Sequence, residues 1–114
     1  MVLTPEEWVR QNTLAHLVHH AGFSIQWIVA EYAWGAVGGK GRSDIVVFKG
    51  NGNVLGIVEC KAPVVKLDQV NSHQLMSYQH FSQPKWVILT NGMQHLFWDV
   101  TEQKHLEDWP KATK

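Results

Sequence analysis

The sequence has little of what marks secreted or membrane proteins. Its 114 residues include a single cysteine, Cys60, which excludes an internal disulfide framework and fits a reducing compartment. No apolar run approaches the roughly 20 residues that a membrane span needs, and the first residues, VLTPEEW after the methionine, lack the basic-then-apolar pattern of a signal peptide. The formal net charge is zero, so no overall field draws the chain to nucleic acid. We therefore expect a cytoplasmic protein without a membrane segment.

The aromatic content, in contrast, is high. Six tryptophans and a hydrophobic content of 45% predict a packed globule and not a disordered chain. The length is enough for one core, so we expect a single domain over residues 1–114. Some of the aromatic surface should be exposed, with Trp98 and Trp109 as candidates, and large apolar patches often mark interfaces. This predicts a homodimer or a partner protein.

The first helix is predicted over residues 4–21, because TPEE at residues 4–7 forms a capping box with proline at the first helical position. Glu7 either only caps this helix or also faces the body of the protein. Histidines near the helix end place two imidazoles one turn apart, as a helical metal site does. These histidines are His16, His19 and His20. No second ligand pair is evident, so solvated histidines are the favoured interpretation.

The stretch from Arg42 to Lys61 predicts two strands joined by a tight turn. Asn51-Gly52 is a strong hairpin signal, because a type I′ turn needs two residues that tolerate positive φ. Centring the turn on these two residues pairs every residue i with residue 103 − i, since 51 and 52 sum to 103.

This register places Asp44 directly opposite Glu59, and the alternation of side chains puts Lys61 on the same face. Directly opposed side chains lie about 4.5–5.5 Å apart at Cβ, where like charges destabilise a sheet. A divalent metal between the two carboxylates, with the lysine beside it, would explain their position. The alternative is an exposed salt-bridge patch on a sheet. Cys60 should point to the opposite face, into the core, so a thiol nucleophile is not expected.

A first strand is predicted over residues 24–34, which are rich in β-branched and aromatic residues. Glu31 within it either lies at the rim or approaches the metal from the strand end. The following glycine-rich GAVGGKG lacks the GK[ST] ending of a phosphate loop. We interpret it as a flexible loop that can follow a nucleic-acid backbone.

The predicted order of elements is helix, three-strand meander, helix, strand, strand. The second helix, over residues 68–81, separates the third strand from the fourth, so these two strands can run parallel through a right-handed crossover. The last two strands are joined at Asn91-Gly92, a second hairpin signal. This order predicts the α/β class, with a mixed central β-sheet flanked by helices.

Three motifs together resemble a known superfamily. Ser-Asp at residues 43–44 and Glu-Cys-Lys at residues 59–61 resemble the signature of PD-(D/E)XK nucleases, with serine in place of the usual proline. Gln-x-x-x-Tyr at residues 74–78 resembles a further motif of some members. The segments GRSDIVVFKGNGNVLGIVECKAP, QLMSY and KWVILTNG, in this order, are similar to the N-terminal nuclease domain of type I restriction enzyme R subunits. The similarity spans Pro5 to about Trp98 and implies a restriction-endonuclease-like core.

The resemblance implies hydrolysis of DNA phosphodiester bonds with Mg²⁺, for which Mn²⁺ substitutes. Asp44, Glu59 and the backbone carbonyl of Cys60 would hold the metal. Lys61 would position the attacking water and stabilise the developing charge. The other candidate catalytic residues are Gln74 and Glu7, and the candidate nucleic-acid contacts are Lys40, Arg42, Lys66 and Tyr78.

Those R subunits continue into a translocating motor, whereas this sequence ends at Lys114. The expected activity is therefore a metal-dependent endonuclease or exonuclease without a motor. Two alternatives stay open. One is a catalytically silent nucleic-acid- or protein-binding module with the same fold, which the zero net charge favours. The other is a subunit that is active only in a larger assembly. Metal-dependent cleavage by the isolated chain would separate the first interpretation from the other two.

Overall fold

The structure is a computed structural model that describes residues 3–34, 41–68, 70 and 83–112. One α-helix and six strands occupy these residues, with a 3-10 turn before the first strand. Their bounds are α1 Pro5–His19, the 3-10 turn Ile25–Trp27, β1 Ile28–Trp34, β2 Gly41–Phe48, β3 Val54–Cys60, β4 Trp86–Thr90, β5 His95–Asp99 and β6 Lys104–Leu106.

The six strands form one mixed sheet in the order β1-β2-β3-β4-β5-β6. Neighbouring strands are antiparallel except β3 and β4, which run parallel. The parallel pair confirms that the third and fourth strands run parallel, as predicted. The second predicted helix, over residues 68–81, lies outside the described residues except for Asp68 and Val70. The described fold is thus a mixed six-stranded sheet with one helix.

Helix α1 begins as its sequence predicts. The hydroxyl of Thr4 accepts a hydrogen bond from the Glu7 backbone N–H at 3.1 Å, which satisfies one of the free N–H groups of the first turn. Pro5 follows, at a position where its missing N–H costs nothing. The helix ends at His19, and Gly22 then turns the chain with φ +85°, a conformation that glycine adopts without steric penalty.

The hairpin between β2 and β3 does not have the predicted turn. Gly52 N–H donates to the carbonyl of Lys49 at 2.9 Å, and Lys49 N–H donates to the carbonyl of Asn53 at 2.7 Å. The turn therefore centres on Gly50-Asn51, one residue earlier than predicted. Gly52 takes the left-handed position after it, with φ +89°. The pairing next to the turn is shifted by one residue as a result.

A bulge in β3 restores the predicted register further from the turn. The pair Phe48↔Val54 sums to 102, whereas Val47↔Gly56 sums to 103, so Leu55 is an extra residue in β3. Beyond the bulge every pair of β2 and β3 follows the predicted 103 − i rule. The register prediction is confirmed for this part of the hairpin, although the turn assumed for it was wrong.

Apolar side chains are buried on both faces of the sheet. The α1 face holds a large cluster that includes Val9, Leu17, Ile45, Val47, Val58, Cys60, Trp86 and Ile88. The opposite face holds a second cluster of Leu67, Val87, Leu89 and Trp98. Gly56 lies directly against the Trp86 ring. A Cβ at this position would come within 2.4 Å of the ring. Burial on both faces explains the continuous apolar run of β4, Trp86–Thr90.

The prediction that Trp98 and Trp109 form exposed aromatic surface is wrong. Trp98 is 5% exposed and belongs to the second apolar cluster. Trp109 packs on the imidazoles of His16 and His95, with ring centroids 4.2 and 4.9 Å away. The physical reason is that β6, a strand that the predicted order of elements lacks, brings the C-terminal segment back onto the sheet. The exposed tryptophans of the described ranges are Trp8 and Trp27.

Within the described ranges, no helix has the length and apolar character needed to cross a membrane.

Candidate active site

Two carboxylates converge where β2 and β3 lie side by side. Ile45 pairs with Val58 in this ladder, and one further step along the same register places Asp44 opposite Glu59. Their carboxyl groups are within hydrogen-bonding reach of one another. The Cys60 backbone N–H also donates to Oδ2 of Asp44 at 2.7 Å. The Asp44 carboxylate is therefore held by the main chain of the neighbouring strand before any ligand binds.

Burial, the negative charge of Asp44 and the hydrogen bond between the two groups together raise the pKa of Glu59 to about 8. The Ser43 hydroxyl and the Lys61 charge act in the opposite direction but do not cancel the rise. At neutral pH and without a cation, Glu59 is therefore mostly protonated. We call Asp44 and Glu59 the acid pair.

Lys61 lies beside this pair. Its backbone N–H donates to the carbonyl of Thr90 at 2.8 Å, so the β3 backbone continues alongside β4 past Cys60. Alternation along the strand then puts Lys61 on the face of Glu59. The charge of Lys61 acts on Glu59 directly. Two facing positions of the hairpin thus bring two carboxyl groups together, and the charge of Lys61 reaches Glu59 from the same face.

A cleft of about 440 Å³ opens between the start of α1 and the edge of the sheet at Asp44. Its lining includes Glu7, Arg10 and Glu31. The Nη2 atom of Arg10 pairs with Oε2 of Glu7, and its Nη1 atom pairs with Oε1 of Glu31 at 3.1 Å. The charge of Asp44 also acts on the Arg10 guanidinium. Glu7 therefore faces the body of the protein, but its carboxylate is already bound by arginine.

Glu31 has an unusual backbone. Its φ is +54° in the middle of β1, in the left-handed region that residues other than glycine seldom adopt. The β1–β2 ladder pairs i with 75 − i on both sides of it, as in Ala30↔Ile45 and Tyr32↔Ser43. Glu31 thus stands opposite Asp44 at a break in the ladder. Its side chain is 57% exposed, which agrees with the rim position, one of its two interpretations.

Sequence reasoning missed Arg10, and no local signal identifies it. A basic residue in the second turn of a helix is ordinarily expected to be solvated. The side chain of Arg10, however, is only 15% exposed. Only the packing of α1 beside Asp44 reveals its role. The partner Glu7 was singled out, but as an acid that acts alone.

The remaining predicted site residues fall into two groups. Arg42 and Lys66 are exposed, as contacts for a phosphate backbone must be. Lys40, Gln74 and Tyr78 lie outside the described residues. The Cys60 thiol is 2% exposed in the α1-face core, and burial raises its pKa to about 12. Cys60 is thus a core residue, as predicted, and its thiol is not a nucleophile.

The donor set at Asp44 and Glu59 fits Mg²⁺. Magnesium prefers oxygen ligands and is usually held by one or two carboxylates together with several waters. No group of three or more histidine, cysteine, aspartate or glutamate side chains within the described ranges is arranged to hold a metal, so protein side chains alone do not form a full cage. Two carboxylates and solvent are the smaller set that Mg²⁺ accepts.

A second cavity, of about 400 Å³, is rich in imidazole but separate from the acid pair. Histidines 16, 19, 20 and 95 line it together with Trp109. The ring centroids of His16 and His20 lie 5.0 Å apart, with the rings tilted by 30°. Burial lowers the pKa of His16 and of His95. His16 and His95 also contact the Trp109 ring, so these two imidazoles pack as aromatic groups and His16 is only partly solvated.

The fold and this site define a mixed-sheet domain with an acid pair and a lysine at the ends of adjacent central strands. The family model described as "Type I restriction enzyme R protein N terminus (HSDR_N)" matches residues 5–110. The chain therefore belongs to this family, and the relationship supports a nuclease-like role.

A solved structure has a similar fold. It is a fragment of a protein described as an HsdR subunit of a type I restriction enzyme from Vibrio vulnificus YJ016, with a TM-score of 0.72 and 20% sequence identity. The match covers 97% of this chain but 24% of that chain, so this chain corresponds to about a quarter of the fragment. A search of curated proteins gives no match.

Proposed function

We propose that the chain is a Mg²⁺-dependent deoxyribonuclease domain with a restriction-endonuclease-like α/β core, flanked by helices on both faces of its sheet. The observation that carries the proposal is the convergence of Asp44 and Glu59 on neighbouring strands with Lys61 beside them. Membership of the R-subunit N-terminal family supports the same reading. An exposed salt-bridge patch does not explain the site, because burial and the neighbouring carboxylate raise the pKa of Glu59.

The residues of this chain have distinct roles in the proposed reaction. Asp44, Glu59 and the Cys60 carbonyl would hold Mg²⁺, which would supply Lewis acidity toward the phosphate and its attacking water. The Lys61 ammonium orients the water and stabilises the negative charge that develops as the water oxygen bonds to phosphorus and the ester P–O bond breaks. The water proton passes to solvent, and the leaving oxygen takes a proton in turn.

Other residues bind and orient DNA in this proposal. Arg42 and Lys66 are exposed and contact backbone phosphates. Lys40 and Tyr78 contribute to the same binding, and Gln74 orients the site, as the family resemblance implies. Because each neutralised phosphate releases counterions, DNA binding should weaken steeply with salt.

Two other functions are compatible with the same fold. The first is a catalytically silent nucleic-acid- or protein-binding module. The second is a subunit that is active only in a larger assembly with DNA and other subunits. The second alternative is favoured by one observation, since the chain spans 24% of the HsdR fragment. Exposed apolar residues near β1, Ile25, Trp27 and Val29, offer a surface for a second copy or a partner protein. The single cysteine is consistent with a cytoplasmic setting.

A cleavage assay on the isolated chain tests the proposal. Single-stranded, duplex and branched DNA are incubated with Mg²⁺, with Mn²⁺ or with chelator, and cleavage is expected only with metal. Glu59→Gln should reduce both metal affinity and cleavage, whereas DNA binding in chelator should be kept, because Glu59 is already mostly protonated at neutral pH without a cation. Glu102→Gln is the matched control, since Glu102 is an exposed acid between β5 and β6. Cleavage that survives Glu59→Gln combined with Lys61→Ala would show that this face is not the active site.

A static light-scattering measurement tests the association. A homodimer is expected at high protein concentration, and a strict monomer would exclude it.

A further inference from the structure

Acidic side chains surround Asp44 on two sides. On one side lies Glu59, across the β2–β3 ladder. On the other side lie Glu7 and Glu31, which line the cleft together with Asp44. Four carboxylates therefore share one corner of the sheet. Among the described residues, Arg10 forms ion pairs with two of them, and the charge of Lys61 acts on Glu59.

The two cations are not placed alike. Arg10 is bound on both arms, with one Nη atom on Glu7 and the other on Glu31. Its side chain is 15% exposed, so the guanidinium is fixed between α1 and β1. A planar guanidinium with several donors is well suited to hold two carboxylates at once. Lys61 stands on the other side, beside Glu59.

Glu31 has a backbone conformation that its surroundings must hold. A glutamate with φ +54° inside a strand is retained where surrounding contacts over-determine it. One of these contacts is the ion pair of its side chain with Arg10 at 3.1 Å. The ion pair places the Glu31 carboxylate at the cleft.

We propose that Arg10 takes the place of a second divalent cation, so that the site holds one Mg²⁺ at Asp44 and Glu59. Arg10 is a positioning residue in this view: it neutralises Glu7 and Glu31 and keeps their carboxylates away from the metal. Glu7 is then a ligand of arginine and not of the metal. The inference rests on the proposed function, since it specifies how many ions that site binds.

Metal stoichiometry of the full chain, without DNA, tests this inference. Free Mn²⁺ is measured by electron paramagnetic resonance during titration, and Mg²⁺ binding is measured by calorimetry. The wild-type chain should bind one ion, and Arg10→Lys should also bind one, because it keeps the charge. Arg10→Met should bind two, because it frees two carboxylates next to Asp44. Adding Glu7→Gln to Arg10→Met should return the count to one. Lys104→Met, an exposed residue of β6, is the control.

A second measurement does not require a chain that lacks Arg10 to fold. Glu7→Gln alone should change the affinity of the single ion by less than tenfold, because Glu7 does not touch it. If Glu7 were a ligand, the affinity would fall by at least about tenfold, and the inference would be overturned.

The outcomes separate the two proposals. In the first outcome, the wild-type chain binds one ion, Glu59→Gln loses it, and Arg10→Met binds no second ion. This result overturns the role of Arg10 and leaves the proposed function standing. Two ions of similar affinity in the wild-type chain also overturn the role of Arg10 alone. A wild-type chain that binds no ion, or binds one that Glu59→Gln does not affect, overturns the proposed function and this inference with it.

Discussion

Two acidic pairs meet at the corner of the sheet around Asp44, and they differ in what neutralises them. Glu7 and Glu31 share the permanent charge of Arg10. Asp44 and Glu59 lie against each other, and at neutral pH a proton reduces their repulsion, since the pKa of Glu59 is about 8. A proton exchanges readily with a metal ion, whereas an arginine side chain does not deprotonate. We therefore expect Asp44 and Glu59, the binding pair, to take up a cation, and Glu7 and Glu31, the supporting pair, to hold the site in place.

The largest effect is expected at the lysine beside the binding pair. Lys61→Ala should leave metal binding nearly unchanged, because lysine is not a ligand. Single-turnover cleavage should slow by about 10²–10³-fold, the size expected on losing one preorganised contact to the transition state. Metal titration and single-turnover kinetics on the same preparation measure both quantities. A variant that loses metal and rate together would mean that Lys61 supports the acid pair structurally.

Neutralising one glutamate of each pair should change the free energy of unfolding in opposite directions. This is the second-largest effect that we expect. The pKa of Glu59 is raised in the folded chain, so its stabilising contribution is complete below pH 4.5 and is lost as the pH rises toward 8. By pH 7 the ionisation of Glu59 lowers the free energy of unfolding of the metal-free protein by about 3 kcal/mol. Glu59→Gln has no group to ionise at this position, so it should raise the stability at pH 7.

Glu7→Gln is the matched variant on the other pair. It removes an ion pair with Arg10 at a half-buried position, so it should lower the stability by about 0.3–1 kcal/mol. Urea unfolding of both variants in chelator, at pH 5 and pH 7.5, measures whether each variant raises or lowers the free energy of unfolding. If both variants destabilise the chain at pH 7.5, the distinction between the pairs is wrong.

The acid pair could be predicted from the sequence because side-chain alternation determines the register more strongly than the turn does. The Asn51-Gly52 dipeptide identified the hairpin, but the turn centres one residue earlier and the Leu55 bulge compensates. A slip of one residue would turn Ile45 and Val47 away from the core, so burial selects the register. The two departures from the assumed hairpin cancel for this physical reason.

The supporting pair could not be predicted in this way. Arg10 and Glu31 are 21 positions apart and meet only because α1 packs beside the edge of the sheet. Neither the helical position of the arginine nor the strand position of the glutamate signals this contact. Trp98 and Trp109 show the same limit, since a short strand, β6, decides their burial. Patterns along the chain report neighbours within a hairpin, whereas contacts between distant elements depend on packing.

The smallest effect is expected at Glu31, where strain and pairing oppose each other. Glu31→Gln and Glu31→Ala both keep the left-handed φ of +54° and lose the ion pair with Arg10, so each should cost about 0.5 kcal/mol at this exposed position. Glu31→Gly also loses the pair but relieves the conformation, which is worth about 1 kcal/mol to a residue other than glycine. Part of this gain is offset, because glycine makes the unfolded chain more flexible. The glycine variant should therefore match or exceed the alanine variant in the midpoint of urea unfolding. A glycine variant that is clearly less stable than the alanine variant would mean that the backbone at Glu31 is not strained, and that the ion pair with Arg10 does not hold it there.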